Sequence, residues 1–141
     1  MKYIYLFLAI ACMVACSNEP QEINYSKDIC VFCKMTIMDK RFAAQCISSK
    51  GKVYKFDDVF CLNKFLKNGG VWKTEIKGIY FTDYTAKPGW IPSDKVMLLK
   101  SDSLRSPMGG NIAGFSSKDD RENTNKQLKG ELLSWDDIKP Q

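Results

Sequence analysis

The chain contains no histidine, only three arginines, and no apolar run long enough to cross a bilayer. Each shortage excludes something. Without His there is no Ser-His-Asp or Cys-His catalytic pair, no catalytic zinc site of the usual kind and no imidazole pH switch. Eighteen Lys against three Arg argue against a phosphate-reading surface, which favours Arg forks, so no nucleic-acid partner is expected. The longest apolar run, Tyr3 to Val14, has twelve residues where a spanning helix needs ~20. What is present suits one compact folded domain: 141 residues, 45% hydrophobic and 26% charged, with a net charge of +5. Six Cys and six Met make the available chemistry mostly that of sulfur.

The first residues read as an address. Met1-Lys2 is a basic start, Tyr3 to Val14 an apolar stretch, and Ser17-Asn18-Glu19-Pro20 a polar exit. The Met13-Val14-Ala15-Cys16 ending resembles a bacterial lipobox. This implies a signal peptide over residues 1–15, cleavage before Cys16 and lipidation of that thiol. Cleavage before Cys12 or an uncleaved anchor are the rival readings. Ser17 stands where Asp would signal inner-membrane retention, which favours the outer membrane, facing the periplasm. Residues 16–29 then form a lipidated tether, since Ser17 to Lys27 is polar and aperiodic. Cys30, Cys33, Cys46 and Cys61 remain as thiols, and four exported cysteines ordinarily suggest two disulfides.

Residues 30–141 read as the folded domain. Phe42 to Ile47 and Lys52 to Phe56 predict two strands joined by a Ser49-Lys50-Gly51 turn. Asp57 or Asp58 caps a helix to about Lys67, which Gly69-Gly70 ends. Trp72 opens an extended stretch, Ile76 to Tyr84 predicts a strand, Thr85 to Asp94 a loop, and Val96 to Leu99 a buried strand. The pattern then recurs: Gly51-x-x-x-x-Phe56-Asp57-Asp58 matches Gly110-x-x-x-x-Phe115-Ser116-Ser117, offset by 59. Each continues into a helical stretch and a Trp, Trp72 or Trp135. The expected fold is α+β, two pseudo-repeated ββαβ units of about 30–84 and 95–138 in one compact domain. The second helix is polar and should lie outside.

Two sulfur-bearing segments carry the chemistry: Cys30-Val31-Phe32-Cys33-Lys34-Met35 and Ser106-Pro107-Met108-Gly109-Gly110. Thiolate and thioether together select Cu(I); Cu(II) prefers nitrogen, and thioether is a poor zinc ligand. Cys33 and Met35 share a face only in an extended segment. Met108, among Pro and Gly, has little core to fill. A Cys33-Met35-Met108 site for Cu(I) follows as the expectation, with Cys30 and Met38 as possible additions. Met97 reads as core filler. Cys46 and Cys61 read as disulfide partners or buried thiols, and Asp57-Asp58 as a helix cap. Cys30-x-x-Cys33 leaves two alternatives open, a thiol-disulfide oxidoreductase and a structural lipoprotein with disulfides.

Together, Cys-x-x-Cys-x-Met, Phe42-Ala43-Ala44-Gln45, Phe56-Asp57-Asp58, Ser106-Pro107-Met108-Gly109-Gly110 and Ala113-Gly114-Phe115 resemble the NosL family, from about Cys30 to Trp135. The resemblance implies a lipid-anchored copper chaperone rather than an enzyme. It would have two ββαβ units, with Cu(I) ligands falling on Cys33, Met35 and Met108. It also implies delivery of copper to nitrous-oxide reductase or to a copper-assembly ABC transporter.

Overall fold

A computed structural model describes residues 19–68 and 75–141. The expected Gly69-Gly70 stop, Trp72, Cys12 and Cys16 lie outside those residues. The order of elements is β1 (Ala44–Ser48), β2 (Val53–Phe56), α1 (Val59–Asn68), β3 (Ile76–Phe81), β4 (Ile91–Pro92), β5 (Met97–Lys100), a 3₁₀ turn (Asp102–Leu104), β6 (Ile112–Phe115), α2 (Lys118–Leu128), β7 (Glu131–Ser134) and α3 (Trp135–Ile138). The fold is α+β, with two antiparallel sheets.

Both sheets are wound the same way. The first runs β2-β1-β3-β4 and the second β6-β5-β7. In each, the first strand of a ββαβ unit is central, flanked by its hairpin partner and by the strand returning from the helix. Ala44 pairs with Phe56 and Phe81, and Met97 pairs with Phe115 and Ser134. Phe56 and Phe115, the two ends of the sequence repeat, thus hold equivalent register positions. Both are fully buried.

The two helices differ as their composition dictates. α1 buries Val59, Cys61, Leu62 and Leu66 against the first sheet, a stripe with helical spacing. α2 buries nothing. Its ends are secured locally instead. Ser117 accepts from the Asp120 N–H at 3.4 Å, and Lys129 closes it in a left-handed conformation.

Three details depart from the sequence-based expectation. Strand β3 stops at Phe81 rather than Tyr84, because Asp83 turns away to serve the second unit. Its Oδ2 accepts from the Ser116 N–H at 2.8 Å and its Oδ1 from the Thr85 N–H at 2.8 Å. The expected Thr85–Asp94 loop contains the short edge strand β4, where Pro92 sits opposite Tyr80. An edge position tolerates its missing N–H. Third, the tether boundary at residue 29 is too late. Chain from Gln21 onward is docked: the buried Gln45 amide exchanges hydrogen bonds with the Gln21 backbone (3.1 and 2.9 Å). Ile23 is buried in the core, and Lys55 binds the Glu22 carbonyl and the Asp28 carboxylate at 2.7 Å each. Ile23, Tyr25 packed on the same core and these hydrogen bonds together anchor it.

The units meet through aromatic rings. Phe81 packs on Trp135 with centroids 5.4 Å apart, and Tyr84 bridges Phe42 and Phe115 at 5.7 and 5.5 Å. Tyr84 also donates its N–H to the Gly114 carbonyl at 2.8 Å. A Cβ on Gly114 would stand 3.0 Å from the Thr82 carbonyl oxygen, so β6 approaches this crossing closely because it carries none there.

Candidate metal centre

The Cys-x-x-Cys-x-Met segment is a hairpin-like loop. Ile29 and Thr36 form an antiparallel bridge. Within it the Cys30 N–H donates to the Met35 carbonyl at 2.8 Å and the Lys34 N–H to the Cys30 carbonyl at 3.0 Å. Lys34 makes the tight turn at a φ of 65°. The loop is fastened to the sheet by the Val31 N–H, which donates to the Lys55 carbonyl at 3.0 Å. Neither cysteine starts a helix, unlike the thioredoxin-type arrangement. Cys30 points into the core and is fully buried, Cys33 is half-buried, and Met35 and Met38 are 54% and 64% exposed.

This loop lies against the start of α1. The Sγ atoms of Cys30, Cys33 and Cys61 and a carboxylate oxygen of Asp57 all lie within 4.8 Å of one another. Cys33 Sγ is 3.5 and 3.6 Å from the two Asp57 oxygens and donates to them. Asp57 and Cys61 are four residues apart, one helical turn, which brings them to the same side of the chain. Sequence reasoning took Cys61 for a disulfide partner or buried thiol and Asp57 for a cap. The i, i+4 spacing of an acid and a thiol was the signal available. Asp58 is the residue that caps, accepting from the Phe60 N–H at 2.8 Å.

The three thiols divide the charge unequally. The Cys61 S–H donates to Cys30, and the Cys33, Asp57 and Phe32 N–H groups add to it. Against the cost of burial they lower the Cys30 thiol to about 6. Burial, then the neighbouring Cys30 and Asp57 charges, raise Cys33 to about 11 despite a backbone bond from Met35. Cys61, as donor to Cys30 and buried beside it, is raised as well. Among the three, Cys30 is the thiol whose ionisation its neighbours favour. Cys46, in the middle of β1, is pushed up to about 12 by burial alone. All four described cysteines are free thiols, so the two-disulfide alternative does not describe this structure.

Asp58 also holds the second sulfur-bearing segment. Its Oδ2 accepts from Ser106 Oγ at 2.5 Å and from the Met108 N–H at 2.9 Å. Ser106 and Asn111 close the loop across its base: the Ser106 N–H donates to Asn111 Oδ1 at 3.0 Å, and the Asn111 N–H to Ser106 Oγ at 2.7 Å. A Cβ on Gly110 would fall 2.7 Å from Asp58 Oδ1 and 2.8 Å from Phe60 Cβ, so only glycine lets the loop press on the helix start. Met108 is half-buried and packs, like Cys33, on the first core.

Of the expected ligands, Cys33 and Cys30 meet in the cluster. Met108 is seated at the neighbouring carboxylate, and Met35 is joined by its carbonyl to Cys30. Met38 lies two residues beyond the Ile29–Thr36 bridge and is exposed. Met97, expected as core filler, is partly buried against the second core, which Phe42, Leu99, Leu104, Ala113 and Phe115 form.

The family model NosL matches residues 20–141. Among solved structures, the copper chaperone NosL from Shewanella denitrificans is similar with a TM-score of 0.74 at 26% identity, covering 86% of this chain and 96% of that one. No curated protein matches the chain.

Replacing the fully buried Asp58 with Ala removes one acceptor group from three donors. The expected cost is about 3 kcal/mol in urea unfolding, since bonds to a buried carboxylate are charge-assisted. A change below about 0.5 kcal/mol, the range of ordinary surface substitutions, would contradict the clamp.

Proposed function

We propose that this chain, which belongs to the NosL family, binds one Cu(I) ion at Cys33, Met35 and Met108 and passes it to a partner by ligand exchange. It is not an enzyme. The observation that carries the reading is the Asp57-Asp58 pair. Asp57 receives the Cys33 thiol and Asp58 the Met108 backbone, so one helix start gathers both sulfur-bearing loops. The similarity to a solved copper chaperone supports copper as the cargo.

The donor types suit carriage. A thiolate binds Cu(I) strongly and thioethers weakly, so the two Met side chains exclude hard cations without trapping the ion. Met35 is more than half exposed, so a recipient's ligands can reach it. Beside Met108 a groove runs past Lys64, Lys67 and Lys100, offering positive charge to an acidic recipient face. Nitrous-oxide reductase or a copper-assembly ABC transporter is the proposed recipient.

Anchoring belongs to the same proposal. Cleavage before Cys16 and lipidation of its thiol would hold the domain at the periplasmic face of the outer membrane. The Gln21 backbone, bonded to Gln45, then sits only a few residues from the lipidated Cys16.

Anaerobic titration with Cu(I) against a competing chelator tests the site. Met35→Ala and Met108→Ala should each weaken binding roughly tenfold, about 1.4 kcal/mol. Wild-type affinity in both variants would remove the thioethers from it. Metabolic labelling with a fatty-acid analogue tests the anchor. Label should vanish in Cys16→Ala and persist in Cys12→Ala, and the reverse pattern would move lipidation to Cys12.

A further inference from the structure

A cleft opens beside the point where the chain enters the folded domain. Tyr25, Lys40, Lys87, Pro88 and Trp90 line it, and none of Cys33, Met35 and Met108 does. We propose that this cleft and the loop next to it rest on the phospholipid surface, which holds the anchored domain in one orientation and leaves the copper ligands outside the contact. The proposal rests on lipidation of Cys16.

The reach of the chain carries the argument. Gln21 is five residues from Cys16. An extended chain gains at most about 3.6 Å per residue, so Gln21 lies within about 18 Å of the anchored cysteine however the residues between are arranged. A small domain is about 30 Å across. A tether shorter than the domain keeps the side that carries Gln21 toward the bilayer. Gln21 is held in place by Gln45, and the residues that follow it, Glu22, Ile23 and Tyr25, all line the cleft. The cleft therefore belongs to the side that the tether turns to the lipid.

Its residue types suit a boundary between water and lipid. Tyr25 and Trp90 are half-buried, each packed on the first core with part of its surface open. Such rings, apolar in body and polar at one tip, settle at headgroup level. Lys40 is exposed and holds its ammonium 5.5 Å from the centre of the Tyr25 ring. Lys87 is exposed as well and pairs with Asp120 at the surface. Lysine stems lie along apolar surface while their ends reach lipid phosphates. Of the two acids in the lining, Glu22 is exposed, whereas Asp83 is buried and turned to Ser116 and Thr85.

The neighbouring loop is built to project. Residues 85–89 are all exposed. The Ala86 N–H donates to the Asp83 carbonyl at 2.9 Å and closes the base of the loop. Gly89 turns it at a φ of 97°, where a Cβ would meet no atom within 4 Å. The loop faces open space there, and a lipid headgroup can fill it.

Brominated lipid quenches tryptophan on contact and reads the orientation directly. The full chain, expressed with its leader and purified from membranes, is reconstituted into vesicles of phosphatidylethanolamine and phosphatidylglycerol, with or without bromine on the upper acyl chain. Bromine should remove at most about one-third of the emission, the share of one tryptophan in three, and Trp90→Phe should abolish that loss. Combining Lys40→Glu with Lys87→Glu should reduce the loss about twofold or more in these anionic vesicles, and leave it unchanged in phosphatidylcholine alone. Quenching that survives in full in both Trp90→Phe and the double lysine variant would overturn the surface. So would a wild-type chain that floats with the vesicles yet is not quenched, the result expected of a cleft kept for a soluble partner. A chain that does not float with the vesicles would overturn the Cys16 anchor, and the surface with it, so the two failures are told apart.

Discussion

Two adjacent carboxylates at the start of α1 hold the functional end of this protein together. Asp57 reaches the cysteine loop and Asp58 reaches the methionine loop. Neither loop has secondary structure of its own beyond a single bridge, and the two are 75 residues apart in the chain (Cys33 to Met108). Asp58 satisfies three donors at once while fully buried, which fixes Met108 to the helix cap. Asp57 has no comparable network and meets sulfur instead. The same dipeptide thus supplies a clamp for the methionine loop and an acceptor for the cysteine loop one residue apart.

The internal repeat shows how the pair became specialised. Position for position, Asp57-Asp58 corresponds to Ser116-Ser117. Ser117 caps α2 as Asp58 caps α1, and Ser116 binds Asp83 from the other unit. The second unit therefore spends this corner on bracing the fold, and the first on gathering ligands. The helices follow suit. α1, which carries Cys61, is buried along one face; α2 has no fully buried residue and meets the second core through Leu128. In the proposed copper site, the half-buried Cys33 would keep its bond while the exposed Met35 exchanges.

Much of the architecture was legible in the residues. The Gly-x-x-x-x-Phe repeat located both hairpin ends, and Phe56 and Phe115 occupy matching register positions. The polarity of Lys118 to Asn123 placed α2 outside. What escaped the sequence were features set by distant contacts. Pro92 looked like loop because its edge-strand role depends on Tyr80. Ile23 looked like part of a tether because the pocket it fills is built from other segments. Cys61 looked like an ordinary buried thiol, since the loop that brings Cys30 and Cys33 to it is 28 residues earlier (Cys33 to Cys61). Local pattern reveals capping and periodicity; it does not reveal which loop folds back on which cap.

The central claim is that one ion can touch a cysteine loop and a methionine loop because a single helix start holds both. Selective labelling of the methionine ε-methyl groups reads this directly by NMR. On anaerobic addition of Cu(I), the Met35 and Met108 methyl signals should shift together and saturate at one equivalent, while Met97 in the second core stays in place. A shift confined to Met35, with Met108 unmoved at full loading, would contradict the account.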